Sequence, residues 1–187
     1  MSRITITRYH DVCMGHRVYG HENKCKNLHG HNYRFYFTLE PVDYDHHFTD
    51  DGTSTARDQG LDSIGRVIDF SVIKSKLCQW LEDNWDHRMI LWEMDPMFKA
   101  IEYYMDSVDK VAIVGVPFNP TAENIAIYMV EVLGPQLLDG SGVYLQKCVV
   151  EETRKCSATA EMDCPPIVTI KAPQLNAGPI DYNDLPF

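Results

Sequence analysis

The sequence predicts an α+β domain in which two helices cover one face of an antiparallel sheet. Three observations support this fold class. Two segments near the N-terminus alternate between apolar and polar residues, two later segments carry apolar residues at helical spacing, and a further strand is predicted at 143–153. The predicted order is strand, strand, helix, strand or loop, helix, strand.

The first two strands are predicted at residues 3–9 and 31–40. In the second strand one face carries four apolar or aromatic side chains: Tyr33, Phe35, Phe37 and Leu39. We expect the two strands to form a hairpin joined by an irregular stretch at 13–30. Residues 43–65 are polar and rich in Gly and Asp, which predicts a long exposed loop.

The first long helix is predicted to begin at Asp69, which is a suitable N-cap after a short strand ending at Val67 and Ile68. Its apolar positions have helical spacing: Phe70, Ile73, Leu77, Trp80 and Leu81. A short helix is expected after Asp95-Pro96, followed by a strand at 111–116.

The second long helix is predicted at about 121–138, entered through Asn119-Pro120-Thr121. We expect Gly134-Pro135 to interrupt or end it. A last strand is predicted at 143–153, and the tail after Pro165-Pro166 is expected to be loosely attached.

The composition is typical of a globular domain, because 44% of the 187 residues are hydrophobic and 24% are charged. The formal net charge of −10 argues against a general nucleic-acid or membrane-surface binder, which would present a basic face. No apolar run approaches the roughly 20 residues of a membrane span, and the N-terminus does not resemble a signal peptide. We therefore expect a cytoplasmic protein with free thiols.

Three histidines form the strongest candidate site. His29 and His31 flank Gly30, and residues two apart on a strand project from the same face. His16, on the other limb of the predicted hairpin, supplies a third imidazole. Three protein ligands with an open fourth position are typical of catalytic zinc.

Cys25 lies four residues before His29 and allows two interpretations. As a fourth ligand it would close the site into a structural Cys-His₃ centre. As an unbound thiol it would be a reactive group beside the metal. The spacing alone leaves both possibilities open.

Three further positions are candidates with ordinary structural alternatives. Asp86 can orient the ring of His87, although a histidine at a helix end also suits the helix dipole. Glu152 could accept paired N–H donors of an amino-pyrimidinone ring, or lie solvated on its strand. Thr121 could support a ligand, or cap a helix. His46-His47 are expected to be exposed loop residues.

These segments together resemble the 6-pyruvoyltetrahydropterin synthase / 6-carboxytetrahydropterin synthase family. The resemblance is carried by six motifs in family order: Met14-Gly15-His16-Arg17, C-x-x-x-H-G-H (25–31), V-I-D-F (67–70), Asp86-His87, N-P-T-x-E-N (119–124) and Glu152-Thr153. It implies the T-fold, or tunnelling fold: a four-stranded antiparallel sheet with two helices on one face, assembled into an oligomeric barrel, often a hexamer. The implied synthase domain spans 1–164, with insertions at about 43–65 and 93–117 and an extension at 165–187.

The resemblance also implies roles for individual residues. His16, His29 and His31 match the zinc ligands. Cys25 matches the catalytic thiol, with Asp86 and His87 as its acid–base partners, which different subunits could contribute. Glu152 matches the carboxylate that anchors the pterin ring, supported by Thr121.

The implied enzyme is a lyase acting on 7,8-dihydroneopterin triphosphate. The three-residue gap between Cys25 and His29 resembles the bacterial 6-carboxytetrahydropterin synthases of 7-deazaguanine (queuosine) biosynthesis. A 6-pyruvoyltetrahydropterin synthase would share every residue named above. A zinc-stabilised module without catalytic activity is the alternative from another class.

Overall fold

A six-stranded mixed sheet is the frame of the protein in this computed structural model, which describes residues 3–42, 60–104 and 112–164. Its strands are β1 (Ile6–His16), β2 (His29–Pro41), β3 (Met89–Trp92), β4 (Ile113–Val116), β5 (Val143–Thr153) and β6 (Cys156–Glu161). Their order across the sheet is β4-β3-β1-β2-β5-β6. The predicted loop with His46-His47 and the extension 165–187 lie outside the described residues, except at the loop's last positions.

The predicted four-stranded antiparallel sheet is confirmed as β1-β2-β5-β6, and two short parallel strands extend it beyond β1. The strand predicted at Val67 and Ile68 is wrong. Residues 60–69 contain no strand, because the carboxylate of Asp62 accepts the backbone N–H groups of Ile64 and Arg66 and folds this segment into turns.

Two long helices correspond to the predicted ones. Helix α1 consists of Phe70–Ile73, a π-helical stretch Lys74–Cys78, and Gln79–Asn84. Helix α2 is Pro96–Tyr104. Helix α3 consists of Ala122–Tyr128, a π-helical stretch Met129–Leu133, and Gly134–Leu137. Asp69 caps α1 as predicted, because its carboxylate accepts the N–H of Ser71 at 2.8 Å. Gly134-Pro135 does not end α3, which continues to Leu137.

The core lies between one face of the sheet and the two long helices. The aromatic face of β2 is fully buried there, as are apolar side chains of both helices: Ile73, Leu77 and Leu81 of α1, and Ile125 and Met129 of α3. This arrangement confirms the predicted α+β layering. No helix in the described part of the chain is long and apolar enough to cross a membrane.

Candidate active site

The three histidines are brought together by strand pairing. β1 and β2 are longer than predicted and continue into the stretch expected to be irregular, so that His16 lies directly opposite His29. His31 follows on the same face of β2. One nitrogen of each ring lies within 4.8 Å of the corresponding atoms of the other two rings. The predicted cluster therefore exists as a compact group.

Glycines allow the two strands to approach closely beside these histidines. Gly15 and Gly30 are paired across the hairpin, one residue from His16 and His29. A Cβ atom at Gly30 would lie 3.3 Å from the carbonyl oxygen of Met14. A larger residue at position 30 would push the strands apart at the point where the imidazoles converge.

Backbone carbonyls fix the orientation of two of the rings. Nδ1 of His16 lies 2.7 Å from the carbonyl oxygen of Pro120, and Nδ1 of His29 lies 2.8 Å from that of Asn27. A carbonyl only accepts hydrogen bonds, so each Nδ1 carries the proton. Each Nε2 is left with a lone pair, which is the state in which histidine binds a metal.

The free nitrogens of the cluster face a carboxylate. Nε2 of His16 and of His31 are buried without a hydrogen-bond partner, although Oε1 of Glu152 lies 3.2 Å and 3.7 Å from them. The closer contact lacks the alignment of a hydrogen bond. Lone pairs directed at a negative group are repulsive unless a proton or a metal cation lies between them, so these residues fit a metal ion.

The pKa shifts of His31 and Glu152 also favour a site that can bind a metal ion. Burial lowers the pKa of His31, which keeps the ring neutral near pH 7. The pKa of Glu152 is lowered chiefly through its contact with His16, because a proton or a metal cation at Nε2 favours the ionised carboxylate. Neutral imidazoles beside a carboxylate are suited to a divalent cation.

Cys25 lies in the turn that connects the two strands. It belongs to a 3₁₀ turn, Lys24–Lys26, and its carbonyl oxygen accepts the N–H of Val18 at 2.8 Å. The thiol is free and half-buried. It is not part of the group of ligand atoms formed by the three histidines. This placement favours a thiol beside the site over a fourth ligand.

Asp86 and His87 form a hydrogen-bonded pair between α1 and β3. Nδ1 of His87 lies 2.6 Å from Asp86 Oδ2, and the other carboxylate oxygen accepts the N–H of Cys13 at 2.9 Å. Partial burial raises the pKa of Asp86, but the bonds from Cys13 and His87 outweigh it and the pKa is lowered. His87 has a φ of 56°, a strained value for this residue type, and its ring is exposed.

One cavity contains this pair together with part of the histidine cluster. Its walls include Asp86, His87, His31 and Glu152. Cys25 is not among the described residues that line this cavity. Within a single chain, the structure therefore brings the Asp86–His87 pair to the same cavity as the histidines but does not join it to the thiol.

Thr121 has the helix-capping position expected for it. Its hydroxyl accepts the N–H of Asn124 at 3.3 Å and begins α3. The preceding residue, Pro120, supplies the carbonyl that holds His16. Thr121 thus lies next to the site, and its side chain caps α3.

Sequence reasoning missed two kinds of site residue. The carbonyls of Asn27 and Pro120 leave no signal in residue type, since every residue has one. Tyr33 donates its hydroxyl to Glu152 and was assigned only to the apolar face. The alternation of β2 could have revealed it, because Tyr33 follows His29 and His31 at two-residue spacing.

This hairpin with converging imidazoles, an adjacent thiol and a carboxylate on β5 can be compared with known proteins. The sequence model described as 6-pyruvoyl tetrahydropterin synthase matches residues 5–163. The chain belongs to that family. The match includes every candidate site residue from His16 to Glu152.

Individual members of the 6-pyruvoyl tetrahydropterin synthase family are similar over most of their length. A Rickettsia typhi protein named 6-carboxy-5,6,7,8-tetrahydropterin synthase is 33% identical, over 82% of this chain and 96% of its own. A crystal structure of an uncharacterized Wolinella succinogenes protein superposes with a TM-score of 0.65 at 22% identity, covering 86% of this chain and 99% of that one. Caenorhabditis elegans 6-pyruvoyl tetrahydropterin synthase has a TM-score of 0.52 at 25% identity, covering 87% and 99%. These structures share the T-fold with this chain.

Proposed function

We propose that this protein is a 6-carboxy-5,6,7,8-tetrahydropterin synthase. It would convert 7,8-dihydroneopterin triphosphate and water into 6-carboxytetrahydropterin, acetaldehyde and triphosphate, as a cytoplasmic lyase of 7-deazaguanine (queuosine) precursor synthesis. The single observation that carries the proposal is the cluster of three imidazoles, two of which direct a free nitrogen at Glu152. The name of the Rickettsia typhi relative supports the carboxy product.

His16, His29 and His31 would hold a zinc ion through their Nε2 atoms. This set of three neutral nitrogen donors is typical of catalytic zinc. Bound there, zinc supplies Lewis acidity that polarises oxygen atoms on the substrate side chain and acidifies the adjacent C–H. The carbonyls of Pro120 and Asn27 hold two of the rings in the required tautomer.

The remaining residues bind the substrate and move protons. The thiolate of Cys25 removes the acidified proton, from the turn Lys24–Lys26 between the two strands that carry the histidines. His87 gives and takes a proton while triphosphate is eliminated, and Asp86 orients its ring. Glu152 accepts the N–H donors of the pterin ring, with Thr121 supporting this end of the site.

The complete site would form in a homo-oligomer, a hexamer by resemblance to the family. Among the described residues of one chain, Cys25 does not line the cavity that contains the Asp86–His87 pair. A neighbouring subunit would bring its own Asp86–His87 pair to the Cys25 of the first. The site would then depend on assembly.

The reaction is tested by incubating the purified, zinc-loaded protein with 7,8-dihydroneopterin triphosphate and identifying the products by mass spectrometry. We expect 6-carboxytetrahydropterin and acetaldehyde without a pyruvoyl product. Formation of 6-pyruvoyltetrahydropterin without acetaldehyde would identify the alternative synthase. The absence of any product, with zinc bound by four protein ligands, would identify a structural zinc module.

A further inference from the structure

We propose that Tyr33 is a positioning residue, whose hydroxyl holds the Glu152 carboxylate in the orientation that receives the pterin ring. The inference rests on the proposed role of Glu152 as the pterin anchor. Tyr33 itself would touch neither substrate nor metal.

The contact is a partly buried hydrogen bond between two neighbouring strands. The Tyr33 side chain is completely buried, and its hydroxyl donates to Oε1 of Glu152 at 3.3 Å. The ring stands edge-on to His16 and His31, with centroid distances of 5.7 Å and 5.6 Å. Packing of this kind leaves the hydroxyl little freedom to point elsewhere.

The carboxylate needs such a constraint because it has competing partners. The oxygen that accepts from Tyr33 also lies 3.2 Å from Nε2 of His16 and 3.7 Å from Nε2 of His31. A carboxylate in this position can turn towards a cation that the histidine nitrogens bind. A neutral phenol donates to it without adding charge, and so holds one oxygen while leaving the other available to ligand donors.

The same pair of strands contains a matched control at its far end. Tyr144 donates its hydroxyl to Oε2 of Glu40 at 2.6 Å, and the two residues are paired across β5 and β2. This second pair therefore has the same chemistry and the same two strands as Tyr33 and Glu152. Neither Tyr144 nor Glu40 lines the cavity that contains His31 and Glu152, so removing the Tyr144 hydroxyl should leave pterin binding unchanged.

The test compares Tyr33→Phe with Tyr144→Phe in the zinc-loaded protein. The probe is neopterin, whose binding is followed by its fluorescence, and zinc is quantified in the same samples. We expect Tyr33→Phe to weaken the Kd for neopterin about tenfold at unchanged zinc content, since the lost bond is to a charged group. Tyr144→Phe should stay within about twofold of the wild type.

A second comparison, made in the Glu152→Ala variant, shows whether Tyr33 acts through Glu152. In Glu152→Ala, adding Tyr33→Phe should change the Kd no further. An undiminished effect there, a wild-type Kd in Tyr33→Phe, or a loss of zinc in that variant would each overturn the proposal. So would a wild-type protein that does not bind neopterin.

The neopterin-binding test of Tyr33 can succeed or fail independently of the turnover test of the proposed function. If neopterin binds and the variants behave as expected, but 7,8-dihydroneopterin triphosphate is not turned over, the role of Tyr33 stands and the synthase proposal fails. If turnover occurs but Tyr33→Phe binds neopterin normally, the positioning role alone fails.

Discussion

At the scale of single residues, the tautomers of the histidines decide what the cluster can bind. Two carbonyl oxygens, from Pro120 and Asn27, accept the Nδ1 protons of His16 and His29. The Nε2 lone pairs therefore point into the site. These hydrogen bonds to the backbone distinguish a group of metal ligands from histidines that only hydrogen-bond to one another.

Replacing Cys25 by Ser should lower kcat at least a hundredfold without loss of zinc. A hydroxyl has nearly the same shape but is far less acidic, so it cannot serve as the proton acceptor. Steady-state kinetics and metal analysis check this, with the exposed Cys156→Ser as the control. Loss of zinc in Cys25→Ser would instead indicate the closed Cys-His₃ site.

Replacing Asp86 by Asn should lower kcat about a hundredfold with little change in KM. The amide keeps the bulk but removes the charge that orients and polarises His87 through its Nδ1. Asp83→Asn is the control, because Asp83 accepts a hydrogen bond from Gln79 on the exposed side of α1. An unchanged kcat in Asp86→Asn would remove this pair from the mechanism.

At the scale of elements, the apolar pattern of the sequence predicted the long helices and the last long strand, and it missed the short strands β3 and β6. The strand at 143–153 has the predicted bounds, and Asp69 caps α1. β3 has four residues, too few to show alternation, and β6 (Cys156–Glu161) lacks large apolar side chains. The predicted bounds of the first hairpin were wrong, because the alternation of residues 3–9 does not visibly continue through Cys13-Met14-Gly15-His16, although β1 does.

In the candidate site too, the sequence predicted what local spacing determines and missed the contacts between residues that are distant in sequence. Histidine spacing on β2 predicted a shared face, which the register confirms. The hydrogen bond between Tyr33 and Glu152 depends on how β2 pairs with β5, a long-range relation that no local pattern contains. The contact of Asp86 with Cys13 likewise joins residues far apart in sequence.

A buried ion pair attaches α2 to the end of β1. Asp95 Oδ2 lies 2.8 Å from Nε of Arg17, the residue after His16, and these side chains are only 1% and 14% exposed. Asp95 also accepts the N–H of Met97 at the start of α2. Removing one partner would leave a buried charge unpaired.

Asp95→Ala should therefore reduce the free energy of unfolding by about 3 kcal/mol in urea denaturation. The control is Glu161→Ala, which breaks the exposed pair of Glu161 with Lys147 and should cost no more than ~1 kcal/mol. Equal effects of the two variants would show that burial of the Arg17–Asp95 pair contributes nothing.

At the scale of the whole molecule, the proposed active site would combine residues of two chains. Cys25→Ser and His87→Gln subunits, each inactive alone, should regain turnover when co-expressed and purified as mixed oligomers. Some sites would then combine an intact thiol with an intact histidine from the neighbouring subunit. The measurement is activity per mixed oligomer, with each variant expressed alone as the control. No recovery would place both groups in one chain.

Every proposed chemical step depends on a metal ion bound by His16, His29 and His31. Zinc analysis of the wild type, His29→Ala and the control His21→Ala, all purified identically, tests this binding. The wild type and the control should carry about one zinc per chain, and His29→Ala much less than half of that, because the site loses one of its three donors. Equal zinc in all three proteins would show that these histidines do not bind the metal.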